Sequence, residues 1–273
     1  MTLIENEPAV RPTREQLLAE FGEADLSVQS LFRFCFVPTG RLGLLKALAL
    51  DEDWGTGDGV LLKYLAVHVR LSIEQERFVW NEDQLVMTAG NLRTSTGVPI
   101  YIGLVRNTTS NENPWALNWV GDRPSCTELP EPPLLSAWDP IEPGVEIVLG
   151  VELEDSERLA GVSTLADAPS ALRTAAIVGA CHWAMHRGLP ASHMFAGIKS
   201  YFIPLYFESR ADLCSPPDLV CSVVVQSNRL LIRSVLDPEI AYPHARAVAL
   251  RCDQLPGWLQ ESWAASAIGE GED

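Results

Sequence analysis

The residues of this chain that could do chemistry gather near its C-terminus, where acids, a phenol, an imidazole and a guanidinium follow one another closely. Groups of these types can exchange a proton with a substrate, and a guanidinium can hold an anion. The candidate catalytic residues are Tyr242, His244 and Asp237. The candidate ligand-binding residues are Arg246, Arg233 and Glu239. The alternative is structural: Asp237 caps a helix, Tyr242 packs, and Arg246 pairs with an acid.

A strand and the helix after it are predicted to position these groups. Residues 230–236 are mostly apolar and branched, which is typical of a buried strand. Asp237-Pro238-Glu239 then supplies an N-cap, a proline at the first helical position and an acid in the first turn. Pro243 cannot continue the helix undisturbed, so a break there would gather the neighbouring polar side chains.

Two histidines are the weak candidates for a metal site. His182 and His186 lie four residues apart in a helix predicted over 167–186, which places both on one helical face, as zinc proteases do. Trp183 stands where such a protease needs its Glu base, so a protease of this type is excluded. We assign no metal from the sequence, and the cofactor is left unknown.

An acidic, glycine-rich loop precedes another predicted helix, which runs from Val60 to about Glu76. Gly55-Thr-Gly-Asp-Gly59 could cradle a phosphate at a helix N-terminus. The loop lacks the Lys-Ser/Thr of a P-loop, and its neighbouring acids would repel phosphate. Leu62 occupies the twelfth position from Asp51, where a calcium-binding EF-hand loop needs Glu. A capped surface loop is therefore the preferred interpretation.

Composition narrows the class of protein. The 273 residues carry a net charge of −16, which disfavours direct binding to a nucleic-acid backbone. There is no long apolar run and no basic, apolar leader, so we expect no membrane insertion and a cytoplasmic location. Six scattered cysteines without a Cys-x-x-Cys pair agree with a reducing compartment. A small-molecule ligand and a homo-oligomer both stay open.

The predicted fold class is α+β, with a central, mostly antiparallel sheet and two main helices, 60–76 and 167–186, packed against it. Alternation of Phe32, Phe34 and Phe36 predicts a strand over 28–37. The predicted organisation is an N-terminal arm and helix over 1–27, a single α+β domain over 28–265, and an acidic tail over 266–273. No internal repeat is visible in the residues.

Two stretches resemble an uncharacterised bacterial family known only as a domain of unknown function. One is Leu85-Val-Met-Thr-Ala-Gly-Asn-Leu-Arg-Thr94, followed by Gly97–Tyr101. The other is Arg233-Ser-Val-Leu236, then Ala241-Tyr242 and Ala245-Arg246, closing on Trp258-Leu259. Some relatives carry RNA-associated modules beside this domain. The resemblance therefore implies a link to RNA metabolism or defence, with no established activity.

Three functional hypotheses follow. The first is an enzyme or binder acting on a small anionic or nucleotide-like ligand, in which Arg246 anchors the anion. The second is an RNA-linked accessory module that uses a basic stripe. The residues of that stripe are Arg33, Arg41, Lys46, Arg93 and Arg106. The third is an interaction protein that uses exposed aromatic residues, with the tail around Trp258 and Trp263 as one candidate surface.

Overall fold

The computed structural model describes residues 11–22, 26–109, 113–135, 138–139, 141, 144–150, 157–195, 197–208, 215–227 and 229–269. The described residues form an α+β fold, and their strands are mostly antiparallel, as predicted. The strands are divided between two five-stranded sheets, where the sequence had indicated one central sheet. No helix in the described ranges is long and apolar enough to cross a membrane.

The chain divides into two compact units. Unit 1 is Met1–Trp54 with Leu61–Leu135, and unit 2 is Gly55–Val60 with Ser136–Asp273. Each unit holds one of the two sheets. A single domain over 28–265 stays a prediction.

Unit 1 contains four helices and five strands among its described residues. The helices are α1 (Arg14–Phe21), α2 (Val28–Phe34), α3 (Thr39–Leu48) and α4 (Gly59–Glu74), of which the first turn of α4 belongs to unit 2. The strands are β1 (Cys35–Phe36), β2 (Phe78–Asn81), β3 (Gln84–Arg93), β4 (Pro99–Arg106) and β5 (Trp115–Gly121). The sheet order is β1-β5-β4-β3-β2, in which β1 and β5 run parallel and the other pairs antiparallel.

The strand predicted over 28–37 is wrong for most of its length, because residues 28–34 form helix α2. Ser27 starts this helix: its side chain accepts a hydrogen bond from the backbone N–H of Ser30 at 3.2 Å. Phe34 is buried and packs against Phe21 and Trp115, with ring centroids 5.2 and 6.1 Å away. Packing of the aromatic residues therefore stabilises a helix despite their alternating pattern.

The two faces of the unit 1 sheet have different surroundings. Strand register places Met87, Ile102 and Leu104 on one face, where α4 packs through Leu65 and Val69. The opposite face carries side chains from all five strands. These are Phe36, Val79, Val86, Thr88, Tyr101, Val105, Ala116 and Trp119.

Unit 2 contains four more helices and five strands among its described residues. The helices are α5 (Glu157–Gly161), α6 (Ser170–His186), α7 (Pro238–Arg246) and α8 (Gly257–Gly269). The strands are β6 (Glu146–Leu149), β7 (Ala191–Phe195), β8 (Ile198–Leu205), β9 (Leu219–Gln226) and β10 (Arg229–Leu236). The order is β6-β10-β9-β8-β7, with β6 and β10 parallel. Helix α8 includes residues 266–269, which the sequence had assigned to the tail.

Both units have the same topology, which the sequence did not reveal. A short strand is followed by helical structure and then by four antiparallel strands, the last of which pairs in parallel with the first. In unit 2 the longer of the two helices between the first two strands is α6, whose Ile177, Ala180 and Cys181 join a core with Ile203 and Cys221 on the sheet. Helices α4 and α6 therefore cover corresponding faces of the two sheets.

Candidate functional site

The predicted strand and helix that carry the candidate residues are confirmed as β10 and α7. The break predicted at Pro243 is wrong, because α7 continues through Pro243 to Arg246. Asp237 is the N-cap residue of α7, but its side chain makes no capping hydrogen bond. Its carboxylate instead accepts a hydrogen bond from Arg158 Nε at 3.0 Å. Both side chains are more than two-fifths exposed, so this ion pair contributes little to stability.

Tyr242 and Arg246 are buried, four residues apart on α7. The Tyr242 ring stacks on Trp263 of α8, with centroids 4.9 Å apart and an interplanar angle of 11°. The Arg246 side chain is 2 % exposed, and its Nη1 donates a hydrogen bond to the carbonyl of Ala249 at 3.1 Å. These contacts give both side chains a packing role.

The His244 side chain contacts different residues, which lie on the unit 2 sheet. Its ring meets Phe202 edge-on, with centroids 6.4 Å apart, and Phe202 stacks on His193 at 3.7 Å. His193 Nε2 and the Ser222 hydroxyl are 3.1 Å apart and form a hydrogen bond. A hydroxyl hydrogen-bonded to an imidazole is the arrangement that activates a serine nucleophile.

Strand register explains how this group is assembled. His193 on β7 is opposite Ser200 on β8, and Ser200 is opposite Val224 on β9, so the three share one face. Ser222 and Phe202 are paired on that same face. Strand β7, which carries His193, was not predicted from the sequence. Ser222 lies among the valines of β9, and nothing in the sequence distinguishes it from other serines.

The remaining candidates are exposed. Arg233 lies at the register shift of β10 between Ile232 and Ser234, and Glu239 lies in the first turn of α7. Since Tyr242 and Arg246 are buried, the six predicted residues do not line one common surface. His182 and His186 are placed on α6, and no group of three or more potential metal ligands occurs in the described ranges.

The glycine-rich loop has a structural explanation. Gly55 has a φ of +72°, and a Cβ built there would be 2.7 Å from Cζ2 of the Trp263 ring. The loop therefore needs glycine at residue 55 so that its backbone can lie against this indole. This contact supports the interpretation as a structural loop.

The predicted basic stripe is partly neutralised. Arg106 pairs with Glu20 at 2.7 Å, and its guanidinium lies 4.2 Å from the centroid of the Trp115 ring. Arg33 donates a hydrogen bond to the Ser30 hydroxyl. The tail is not an exposed aromatic surface at Trp258, which is fully buried and donates its Nε1–H to the carbonyl of Leu189 at 2.9 Å.

Unit 1 contains two further buried groups of interest. The hydroxyl of Tyr64 on α4 accepts a hydrogen bond from the backbone N–H of Asn91 at 2.6 Å, beside Gly90, where a Cβ would meet Tyr64 and His68. This contact joins α4 to β3. Elsewhere in the unit, Cys35 lines a small apolar cavity, and burial raises the pKa of its thiol to about 12, so it is not a reactive nucleophile.

Part of the second face of the unit 1 sheet is exposed. We call Phe36, Val79, Val105, Ala116 and Trp119 the apolar face. Phe36 is 52 % exposed, and the other four are partly exposed. The face continues into Val86, Thr88 and Tyr101, which are buried.

The Trp119 ring lies flat on this face, beside two glycines. Its ring lies against Gly121, where a Cβ would be 2.6 Å from Cζ2, and its Cβ would be 3.4 Å from a Cβ at Gly103. Because both neighbours lack side chains, the indole can lie along the sheet surface. A broad aromatic surface of this kind is typical of protein-binding sites.

Comparison with known proteins provides no assignment: no family model, curated protein or solved structure matches this chain. The resemblance to an uncharacterised bacterial family stays a prediction.

Proposed function

We propose that this protein is an accessory module that binds another protein through the apolar face of unit 1. The observation that carries the proposal is the partial exposure of apolar side chains on one face of the sheet, from β1, β2, β4 and β5, with Trp119 among them. Contiguous exposed apolar surface with an aromatic centre favours protein association, whereas scattered apolar residues need no explanation.

The contacts of the predicted site residues favour an interaction role over catalysis. Tyr242 and Arg246 contribute to the packing of α7 and the segment after it, and Asp237 is engaged by Arg158. A link to RNA metabolism or defence then comes through the bound protein, since the net charge of −16 opposes direct RNA binding. A cytoplasmic location belongs to the same proposal and agrees with five free thiols in the described ranges.

Site-specific photocrosslinking in the native host tests this proposal. A photoreactive benzoylphenylalanine replaces Phe36 in one protein and Ile198, which is 53 % exposed in unit 2, in the matched control. We expect one polypeptide adduct from position 36 and none of the same mass from position 198. The adduct should disappear when Val105→Lys is added. No adduct at position 36, or equal adducts at both positions, would contradict the proposal.

A second candidate function is supported by the hydrogen bond between Ser222 and His193. The pair could activate a nucleophile toward a small anionic or nucleotide-like ligand, with His244 nearby as a proton donor or acceptor. Ser222 is only 5 % exposed, so a ligand would have to displace part of the α7 packing. This requirement places the candidate second.

Native mass spectrometry of protein purified from its host tests the second candidate. A retained small molecule that is present in the wild type, absent in Ser222→Ala and retained in a matched Ser192→Ala control would establish ligand binding at the pair. Ser192 is adjacent to His193 on β7 and is opposite Tyr201, on the α6 side of the sheet. Identical unliganded masses for all three proteins would overturn this candidate.

A further inference from the structure

The shared topology of the two units indicates what kind of structure fits the apolar face. Helices α4 and α6 connect corresponding strands and cover corresponding sheet faces. The apolar face of unit 1 therefore corresponds to the face of the unit 2 sheet that carries His193, Phe202 and Ser222.

In unit 2 that face is covered by a helix. The residues at its centre, on β8 and β9, are nearly inaccessible, including Phe202, Val220 and Val224. The covering helix is α7, which contacts β7, β8 and β9 and on which α8 packs. Ala241 and Ala245 are fully buried on α7, and such small side chains allow a helix to approach a sheet closely.

The apolar face of unit 1 offers a comparable surface. Its centre lacks side chains at Gly103 and Gly121, and the Trp119 ring lies against Gly121. Phe36 and Val79 come from the two edge strands of the sheet. A helix with a stripe of small and aliphatic residues would bury these side chains, as α7 buries the part of the corresponding face formed by β7, β8 and β9 in unit 2.

Charge favours a basic helix. The turn between β2 and β3 carries Glu82 and Asp83, both exposed, next to the Asn81–Gln84 pair on the same side of the sheet. The chain as a whole carries a charge of −16, so a second copy of it would be repelled and a basic partner attracted.

We infer that the apolar face binds a basic amphipathic helix of a partner protein, in the manner in which α7 covers unit 2. The inference rests on the proposed function and adds the chemistry of the partner: small and aliphatic residues toward the sheet, and Lys or Arg toward Glu82 and Asp83.

A synthetic helix tests the inference. The probe is a fluorescein-labelled peptide of about 20 residues with an Ala/Leu stripe and Lys on its other face, long enough to form a helix. Two peptides control for it: one with Glu in place of Lys, and one with the same composition in scrambled order. Fluorescence anisotropy measures binding to the full chain, to Phe36→Ser and to the matched surface control Ile198→Ser.

We expect saturable binding of the Lys helix alone. Phe36→Ser should weaken it at least about tenfold, the change expected from losing a buried aromatic contact, and Ile198→Ser should leave it unchanged. The double variant Glu82→Lys with Asp83→Lys should also bind the Lys helix more weakly than the wild type does, and its binding should depend less on salt. Equal affinity for the scrambled peptide, or no effect of Phe36→Ser, would overturn the inference.

Two other occupants of the apolar face would be recognised by different experiments. A concentration-dependent dimer in sedimentation that Phe36→Ser dissociates would identify a second copy, and oligonucleotide binding lost in Phe36→Ser would identify nucleic acid. Both overturn the helix inference. A crosslink at position 36 to a partner without such a helix overturns the inference and leaves the proposed function standing, whereas absence of any crosslink removes both.

Discussion

At the scale of single residues, Gly55 shows how a pattern that suggests ligand binding can serve packing instead. A glycine-rich loop before a helix is a familiar phosphate site, and its neighbouring acids were the argument against that interpretation. The structure adds a positive reason for glycine, because the backbone at residue 55 lies directly against the ring of Trp263, which in turn stacks on Tyr242.

This geometry predicts unequal costs for two similar substitutions. Gly55 and Gly57 both have positive φ values, +72° and +65°, so alanine is strained at either position by about 1 kcal/mol. A Cβ at residue 57 meets nothing within 4 Å, whereas one at residue 55 meets the indole at 2.7 Å. Gly55→Ala should therefore lower the free energy of unfolding by about 2–4 kcal/mol and Gly57→Ala by about 1.

Urea denaturation monitored by circular dichroism measures both values. Equal losses for the two variants would show that Trp263 moves freely and that the contact does not specify glycine. A loss confined to Gly57→Ala would contradict the description of the loop.

At the scale of elements, the sequence predicted best where local signals agreed with tertiary packing. The passage from β10 into α7 was recognised because branched residues end at Asp237-Pro238, a strong helix start. Helix α6 was recognised for the same reason: its residues are good helix formers between a proline and a glycine. In these segments little information from distant residues was needed.

The prediction failed where distant contacts decide the structure. Residues 28–34 alternate as a strand would, yet Ser27 caps a helix there and Phe34 inserts between Phe21 and Trp115. The Ser222–His193 pair could not be predicted either. The two residues are 29 positions apart in the sequence, and only the register of β7, β8 and β9 brings them together. The apolar face likewise depends on register, because its five residues come from four strands.

At the scale of the whole molecule, the net charge of −16 is large, and the ion pairs of the structure do not change it. Ion pairs such as Arg106–Glu20 and Arg158–Asp237 are part-exposed, and the sequence holds 36 acids against 20 bases. Each such pair is worth less than about 1 kcal/mol. Mutual repulsion within the excess negative charge should therefore outweigh the pairs in the response of the folded state to salt.

This balance predicts that salt stabilises the protein. Raising NaCl from about 10 mM to about 150 mM shortens the screening length from about 30 to about 8 Å, which weakens repulsion more than it weakens the short contacts. We expect an increase of about 1 kcal/mol in the free energy of unfolding, seen as a rise of about 2–4 °C in melting temperature by scanning calorimetry. Glu82→Lys with Asp83→Lys changes the net charge from −16 to −12 and should give a smaller rise. If the melting temperature fell with salt, attractive ion pairs would dominate, and the charge argument for a basic partner would lose its basis.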